Sequence, residues 1–136
     1  MLRYLLDTNV VSQPMMKTPS ASVMRKLTSL AEECAIAAPV WHELQFGCKC
    51  MPAGKRRDAL QDYLADVVST FEILPYDDLA AKLHAMERAR LKELGTTAPF
   101  VDGQIAAIAQ INELVLVTDN VRDFAPFKAL TVQNWA

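Results

Sequence analysis

The chain has 136 residues, of which 51% are hydrophobic, and a formal net charge of −2. This length and composition suit one domain with a substantial core, so we predict a single domain over residues 1–136. The small net charge excludes a general attraction to polyanions. No apolar run has the length of a signal peptide or a membrane span, which predicts a cytoplasmic protein without membrane contact.

Short apolar runs alternate with helical patterns along the chain. A short apolar run predicts a buried strand, and apolar residues three or four positions apart predict an amphipathic helix. In chain order we predict a strand over residues 2–6 followed by a capped helix, a helix over 20–32, a strand over 34–38, helices over 39–51 and 55–68, a strand over 71–74, helices over 77–95 and 99–111, and strands over 114–117 and 130–132. This order predicts an α/β/α sandwich with a central, mainly parallel sheet of four to five strands.

Acidic and polar residues lie at the predicted carboxyl edge of this sheet. Asp7 follows the first strand, and Glu43 lies in the first two turns of the helix that follows the second strand. Asp102 lies at the amino end of the helix that leads into the fourth strand, and Asn120 and Asp123 come after that strand. Because sites in open parallel sheets form at this edge, we expect these side chains to meet.

Such a cluster of carboxylates needs a compensating positive charge. Two carboxylates about 4 Å apart repel by roughly 4 kcal/mol at an effective dielectric constant near 20. No lysine lies in these segments, and carboxylate and amide oxygens with water are the ligands that Mg²⁺ or Mn²⁺ prefers. We therefore predict a divalent metal site suited to phosphodiester cleavage, and we expect the helix dipole to favour the anion of Asp102.

Four segments resemble those of PIN-domain nucleases, and in particular the FitB-like VapC toxin family. They occur in the order and at the spacing of that family across nearly the whole chain. The matching segments are LLDTNVVSQP (residues 5–14), WHELQFG (41–47), FVDGQIAAIA (100–109) and LVLVTDNVRDF (114–124), with VQNW (132–135) near the end.

The resemblance implies both an activity and a set of partners. It implies a PIN domain that is a Mg²⁺- or Mn²⁺-dependent endoribonuclease and the toxin of a type II toxin–antitoxin pair, hydrolysing RNA phosphodiester bonds by metal-activated water. It further implies RNA as the substrate, a VapB-like antitoxin as the partner and a homodimer. Operator DNA would be contacted only through the antitoxin.

The resemblance also implies roles for individual residues. The catalytic acids would be Asp7, Glu43, Asp102 and Asp123, with Asp7 and Asp102 as the metal ligands. The supporting polar residues would be Thr8, Asn9, Thr118, Asp119 and Asn120. Relatives often have Thr-x-Asp or Thr-x-Asn after the fourth strand, and here Asn120 takes that place, so whether Asp119 or Asp123 supplies the fourth carboxylate stays open.

Less specific interpretations stay open beside these. Asp7 alone is typical of a helix cap, and Asp102 alone is typical of a first helical turn. Because Asn120 carries no charge, a rival hypothesis is a catalytically weak or inactive PIN-fold binding module that acts through antitoxin and operator complexes.

Two further groups of residues have alternative interpretations. Basic clusters at Lys55, Arg56 and Arg57 and at Arg88, Arg90 and Lys92 are either solvated helix faces or contacts to RNA phosphates. The side chains of Met15, Met16, Met24, Leu27 and Phe46 belong either to the core or to an adaptable surface for an antitoxin.

Overall fold

The computed structural model describes all of residues 1–136 and is built on a five-stranded sheet. The strands are β1 (Tyr4–Leu6), β2 (Cys34–Ala37), β3 (Glu72–Leu74), β4 (Val115–Val117) and β5 (Val132–Gln133). Their order across the sheet is β3-β2-β1-β4-β5, and all four pairings are parallel. The predicted α/β architecture is confirmed, and the sheet is parallel throughout.

Seven helices accompany the strands. They are α1 (Thr8–Val11), α2 (Ala21–Ser29), α3 (Ala38–Cys50), α4 (Lys55–Asp66), α5 (Asp78–Glu93), α6 (Phe100–Ile111) and α7 (Val121–Phe124). Side chains cap three of the predicted helices: Asp7, Ser20 and Asp77 accept hydrogen bonds at the starts of α1, α2 and α5. Pro39 lies in the first turn of α3, where its missing N–H costs no helical hydrogen bond. No helix of the chain combines the length and apolar character needed to cross a membrane.

The predicted boundaries are wrong at several ends. The second strand stops at Ala37 because Ala38 already begins α3, and α4 ends at Asp66 before a short turn. The last strand lies at residues 132–133 and not at 130–132, because pairing with β4 sets its register. Ala129, three residues before this strand, has a left-handed φ of 63°. Helix α7 was not predicted, since four residues carry no helical periodicity.

The core lies on both sides of the central strands. Every residue of β1 and β2 is buried, as expected for strands covered on both faces, whereas Glu72 and Ile73 of the edge strand β3 are exposed. Trp135 packs edge-on against Tyr4, with ring centroids 5.1 Å apart, so the end of the chain closes over the start of β1. The carboxyl ends of β1 and β4 remain lined by polar residues.

Candidate active site

Asp7 is fixed at the point where β1 ends. Its backbone N–H donates to the carbonyl oxygen of Val117 at 2.9 Å, which holds Asp7 beside the carboxyl end of β4. Its Oδ1 accepts from the Thr8 N–H at 2.9 Å and caps α1, while its Oδ2 accepts from the Thr118 hydroxyl at 2.8 Å. The side chain of Asp7 is buried, so both of its oxygens are held in place.

Thr8 extends the same network to α3, and Asn9 adds a second contact to the segment after β4. The Thr8 hydroxyl donates to Oε2 of Glu43 at 2.8 Å, and this bond ties α1 to α3. The amide Nδ2 of Asn9 donates to Oδ1 of Asp119 at 3.3 Å. The three consecutive residues that follow β1 therefore contact two distant parts of the chain, α3 and the segment after β4.

The segment after β4 supplies the remaining contacts. Thr118 is fully buried, and its hydroxyl oxygen donates to Asp7 and accepts from the backbone N–H of Asn120 at 3.0 Å. Asn120 thus makes its contact with Thr118 through its backbone. It leads into α7, which carries Asp123 in its first turn.

Asp102 lies in the first turn of α6, and its environment raises its pKa from 3.8 to about 6. Burial is the largest cause, and the negative charges of Asp7, Asp123 and Glu43 add to it. All of these causes favour the protonated acid and so act against the helix dipole, whose preference for the anion stays a prediction. The other three predicted catalytic acids all lie within electrostatic range of Asp102.

The pKa of Asp7 is also raised, again mainly because the carboxyl group is buried. Hydrogen bonds from Thr118 and Thr8 oppose the rise, whereas the charges of Glu43 and Asp119 reinforce it. Asp119 therefore lies on the Asp7 side of the cluster, and Asp123 affects Asp102. Either residue remains suitable as the fourth carboxylate.

The donor atoms of the cluster fit a hard divalent cation. No group of three or more Asp, Glu, His or Cys side chains is arranged in the structure as a metal-ion site. Mg²⁺ usually keeps several water ligands, however, and needs only one or two protein carboxylates together with phosphate oxygens of a substrate. The Asp7 oxygens retain lone pairs beyond their two hydrogen bonds, and Asp102 makes no hydrogen bond through its side chain.

Comparison with known families identifies the fold. The model of the PIN domain family matches residues 4–129, a range that includes all four site segments. The chain belongs to the PIN domain family. The predicted family membership is thereby confirmed.

Similar proteins cover nearly the full length of this PIN domain. It is 34% identical to "VapC ribonuclease Y4jK" of Sinorhizobium fredii, over 92% of this chain and 90% of the relative. It is 30% identical to "Toxin FitB" of Neisseria gonorrhoeae, over 96% and 97%. The solved structure of FitAB bound to the IR36 DNA fragment matches with a TM-score of 0.89 at 30% identity, over 98% of this chain and 96% of that one.

The two predicted basic clusters differ in their surroundings. Lys55, Arg56 and Arg57 begin α4 after α3 has carried the chain roughly 10 Å beyond Glu43, and no hydrogen bond or ion pair joins them to the site carboxylates. Arg90 forms an ion pair with Glu87 at 2.8 Å and donates to the Pro126 carbonyl oxygen. Their role in RNA contacts stays a prediction.

Sequence reasoning missed a group of side chains beside Asp102. Tyr76 and Nδ1 of His84 form a hydrogen bond of 2.7 Å, and the His84 ring lies 4.7 Å from the Phe100 ring. His84 is buried against Gly103, where a Cβ atom would overlap the imidazole. The only sequence signal was that His84, Arg88 and Lys92 recur every four residues along one helix.

Proposed function

We propose that this PIN domain is the ribonuclease toxin of a toxin–antitoxin pair and that it hydrolyses RNA phosphodiester bonds with Mg²⁺ or Mn²⁺. The observation that carries the proposal is the network around Asp7-Thr8-Asn9, which gathers acids from distant segments at one sheet edge. The names of the similar proteins, a VapC ribonuclease and the toxin FitB, support the choice of RNA cleavage and of a toxin role.

The chain's own residues would divide the work at this site. Asp7 and Asp102 would hold the cation, with Glu43 and Asp123 adding negative charge around it. The hydroxyl of Thr118 fixes the orientation of Asp7, and the hydroxyl of Thr8 fixes that of Glu43. The chemistry that Mg²⁺ or Mn²⁺ supplies when bound is neutralisation of phosphate charge and a lower pKa for water.

Cleavage of single-stranded RNA by the purified protein tests this proposal. Asp7→Asn and Asp102→Asn keep the size of each side chain and remove its charge. Each is expected to lower the rate with Mg²⁺ by more than about 100-fold, because even residues that only orient a metal ligand commonly cost 10- to 100-fold. The control is Asp62→Asn, which removes an exposed acid from α4. Undiminished cleavage by both site variants would contradict the proposal.

The rival hypothesis of a binding module predicts a different result. In that case wild-type protein would not cleave RNA with either cation, yet it would still bind an antitoxin. Asn120 motivated this rival because it carries no charge, but Asp119 and Asp123 lie close enough to raise the pKa values of Asp7 and Asp102. The site therefore does not lack carboxylates, and we favour the active nuclease.

We further propose that an apolar groove between α2 and α4 receives the antitoxin. The groove has a volume of about 470 Å³ and is lined by Met24, Leu27, Tyr63, Val67 and Phe71, among others. Of the five residues that the sequence suggested for this role, Met24 and Leu27 line it and Met15, Met16 and Phe46 do not. An apolar groove of this kind suits the apolar face of a partner helix.

Substitution in the groove separates antitoxin binding from catalysis. Leu27→Glu is expected to abolish co-purification with a co-expressed VapB-like antitoxin, while RNA cleavage continues. Contact with operator DNA would then be lost together with the antitoxin, since the proposal places DNA contact in that partner.

We also propose a homodimer. Large apolar side chains on α3 and α5, namely Phe46, Leu79 and Met86, are more than half exposed. A second copy would cover such side chains. Light scattering on the purified toxin measures the mass, and a monomer at all concentrations would contradict this part of the proposal.

A further inference from the structure

A pocket of about 420 Å³ opens beside the first turn of α6, on the side formed by α5 and the loop before α6. We refer to it as the α5–α6 pocket. Its lining includes His84, Arg88, Lys92, Thr96, Thr97 and Phe100. Gly103 also lines it, so residues on both sides of Asp102 in the sequence face the pocket, whereas none of the site carboxylates does.

The pocket carries two cations that nothing in the chain neutralises. Arg88 and Lys92 follow His84 at intervals of four residues, which places the three side chains along one face of α5. The ion pairs of the chain are Arg3 with Glu33 and Arg90 with Glu87. Arg90 is therefore compensated, but the exposed Arg88 and Lys92 have no acidic partner.

An aromatic ring stands next to these cations. Phe100 is 50% exposed, and the Arg88 guanidinium lies 5.2 Å from the centre of its ring. A planar group that enters the pocket can therefore stack on Phe100 and meet a positive charge at the same time.

His84 offers a hydrogen-bonding atom at the base of the pocket. Its Nδ1 is paired with the Tyr76 hydroxyl, and its Nε2 makes no hydrogen bond. No buried side-chain nitrogen or oxygen of the chain lacks a partner, so Nε2 keeps some exposure to solvent although His84 as a whole is buried. The absence of a side chain at Gly103 leaves the space that the imidazole occupies.

We infer that the α5–α6 pocket binds one nucleotide of the RNA next to the cleaved bond, with its phosphate at Arg88 and Lys92 and its base against Phe100. This inference rests on the proposed ribonuclease function. Aromatic stacking combined with cations that follow the backbone is the general means by which proteins hold single-stranded nucleic acid. Nε2 of His84, which makes no hydrogen bond within the chain, would then be the atom that hydrogen-bonds the edge of the base.

The charge distribution explains why such a pocket is needed. The carboxylate cluster repels the RNA backbone, and the chain as a whole has a net charge of −2. Attraction to RNA must therefore come from local uncompensated cations. Arg88 and Lys92 are such cations, and the pocket that they line also includes Phe100 and Gly103, which flank Asp102 in the sequence.

Binding measured in EDTA tests the pocket independently of cleavage. The probe is a short fluorescein-labelled oligouridylate, followed by fluorescence anisotropy at several salt concentrations. Arg88→Ala and Phe100→Leu are each expected to weaken binding about 10-fold, and Arg88→Ala is expected to reduce the salt slope by about one. Arg88→Lys keeps the charge and is expected to recover most of the affinity. Arg25→Ala, an equal loss of charge on exposed α2, is the matched control and is expected to bind like wild type.

Kinetics with Mg²⁺ provide a second readout. Pocket variants are expected to raise KM about 10-fold with little change in kcat, whereas Asp102→Asn is expected to lower kcat.

If Arg88→Ala and Phe100→Leu bind RNA like Arg25→Ala, the pocket inference is wrong even when the protein cleaves RNA. If the variants that bind RNA weakly also change the oligomeric state measured by light scattering, the pocket belongs to an interface between copies and the inference is again wrong. Pocket-dependent binding without any cleavage by wild type would instead overturn the proposed nuclease function and leave the pocket as an RNA-binding site.

Discussion

At the scale of single residues, Asp7 combines two roles that the sequence presented as alternatives. One of its oxygens caps α1 and the other is held by Thr118, and the carboxyl group still faces the remaining acids. A helix cap and a site residue are compatible because a carboxylate has about four lone-pair positions. A pattern of residues cannot reveal this, since both roles require the same residue at the same place.

Two glycines in helices provide a test of how tightly His84 packs on α6. Alanine normally stabilises a helix interior by about 0.5–1 kcal/mol relative to glycine. At Gly47 of α3 no atom lies within 4 Å of an added Cβ, so Gly47→Ala is expected to show that gain. At Gly103 the Cβ would overlap the His84 ring, so Gly103→Ala is expected to lose about 1–3 kcal/mol. Urea denaturation measures both, and equal effects would contradict the described packing.

Asp102 provides a pH-dependent prediction for the protein in EDTA. Its pKa in the folded chain, about 6, lies above the ordinary value of 3.8, so the folded state favours the protonated acid. Protonated Asp102 therefore stabilises the folded state. This stabilisation is complete at a pH below 3.8 and is lost as the pH rises through about 6. A shift of this size corresponds to roughly 3 kcal/mol, which solvent screening of the half-exposed carboxyl group reduces to about 1 kcal/mol.

Replacing Asp102 by asparagine removes this pH dependence. At a pH above about 6 in EDTA, Asp102→Asn is therefore expected to raise the melting temperature. At a pH below 3.8, the ordinary pKa of an aspartate, the substitution is expected to change the melting temperature little. The exposed Asp62→Asn serves as the control. A loss of stability at neutral pH in the Asp102 variant would mean that the carboxylate is stabilised by contacts other than those described.

At the scale of elements, the sequence predicted the long helices and the order of strands well. Helices α3, α5 and α6 are long enough for apolar periodicity to be clear, and the four-residue α7 is not. The convergence of Asp7, Glu43 and Asp102 followed from topology alone, because the carboxyl ends of parallel strands share one edge. The α5–α6 pocket could not be predicted, since it depends on how two helices pack after a loop.

A hydrogen bond from Tyr63 joins helix α4 to the helix that begins at the site. The Tyr63 hydroxyl donates to the carbonyl oxygen of Val11, the last residue of α1, at 2.6 Å. Burial raises the pKa of Tyr63 to about 12, so the hydroxyl remains a donor at every ordinary pH.

Tyr63→Phe is expected to cost about 1–2 kcal/mol in urea denaturation, because the partly buried carbonyl oxygen loses its partner. The exposed Gln61→Ala, on the same helix, is the control and is expected to change stability by less than about 0.5 kcal/mol. No loss in the Tyr63 variant would show that the bond adds nothing to stability.

At the scale of the whole molecule, charge is separated in a way that composition conceals. Acids from four segments lie at one sheet edge, and the unpaired Arg88 and Lys92 line a pocket that also includes Phe100 and Gly103, on either side of Asp102 in the sequence. A net charge of −2 averages these regions and therefore predicts neither of them. In the proposed function, the first region would hold a cation and the second would attract an anionic polymer.

The proposed cation site would couple the stability of the whole domain to divalent cations. A cation that binds only the folded chain stabilises it by about 2.7 kcal/mol at 100 times its dissociation constant. We therefore expect Mn²⁺ or Mg²⁺ to raise the melting temperature, and the effect to shrink as the pH falls through about 6, where protons compete for Asp102. Asp7→Asn and Asp102→Asn are expected to abolish the rise, and NaCl at matched ionic strength separates binding from screening. An equal rise in both variants, or with NaCl alone, would show that the carboxylates do not bind the cation.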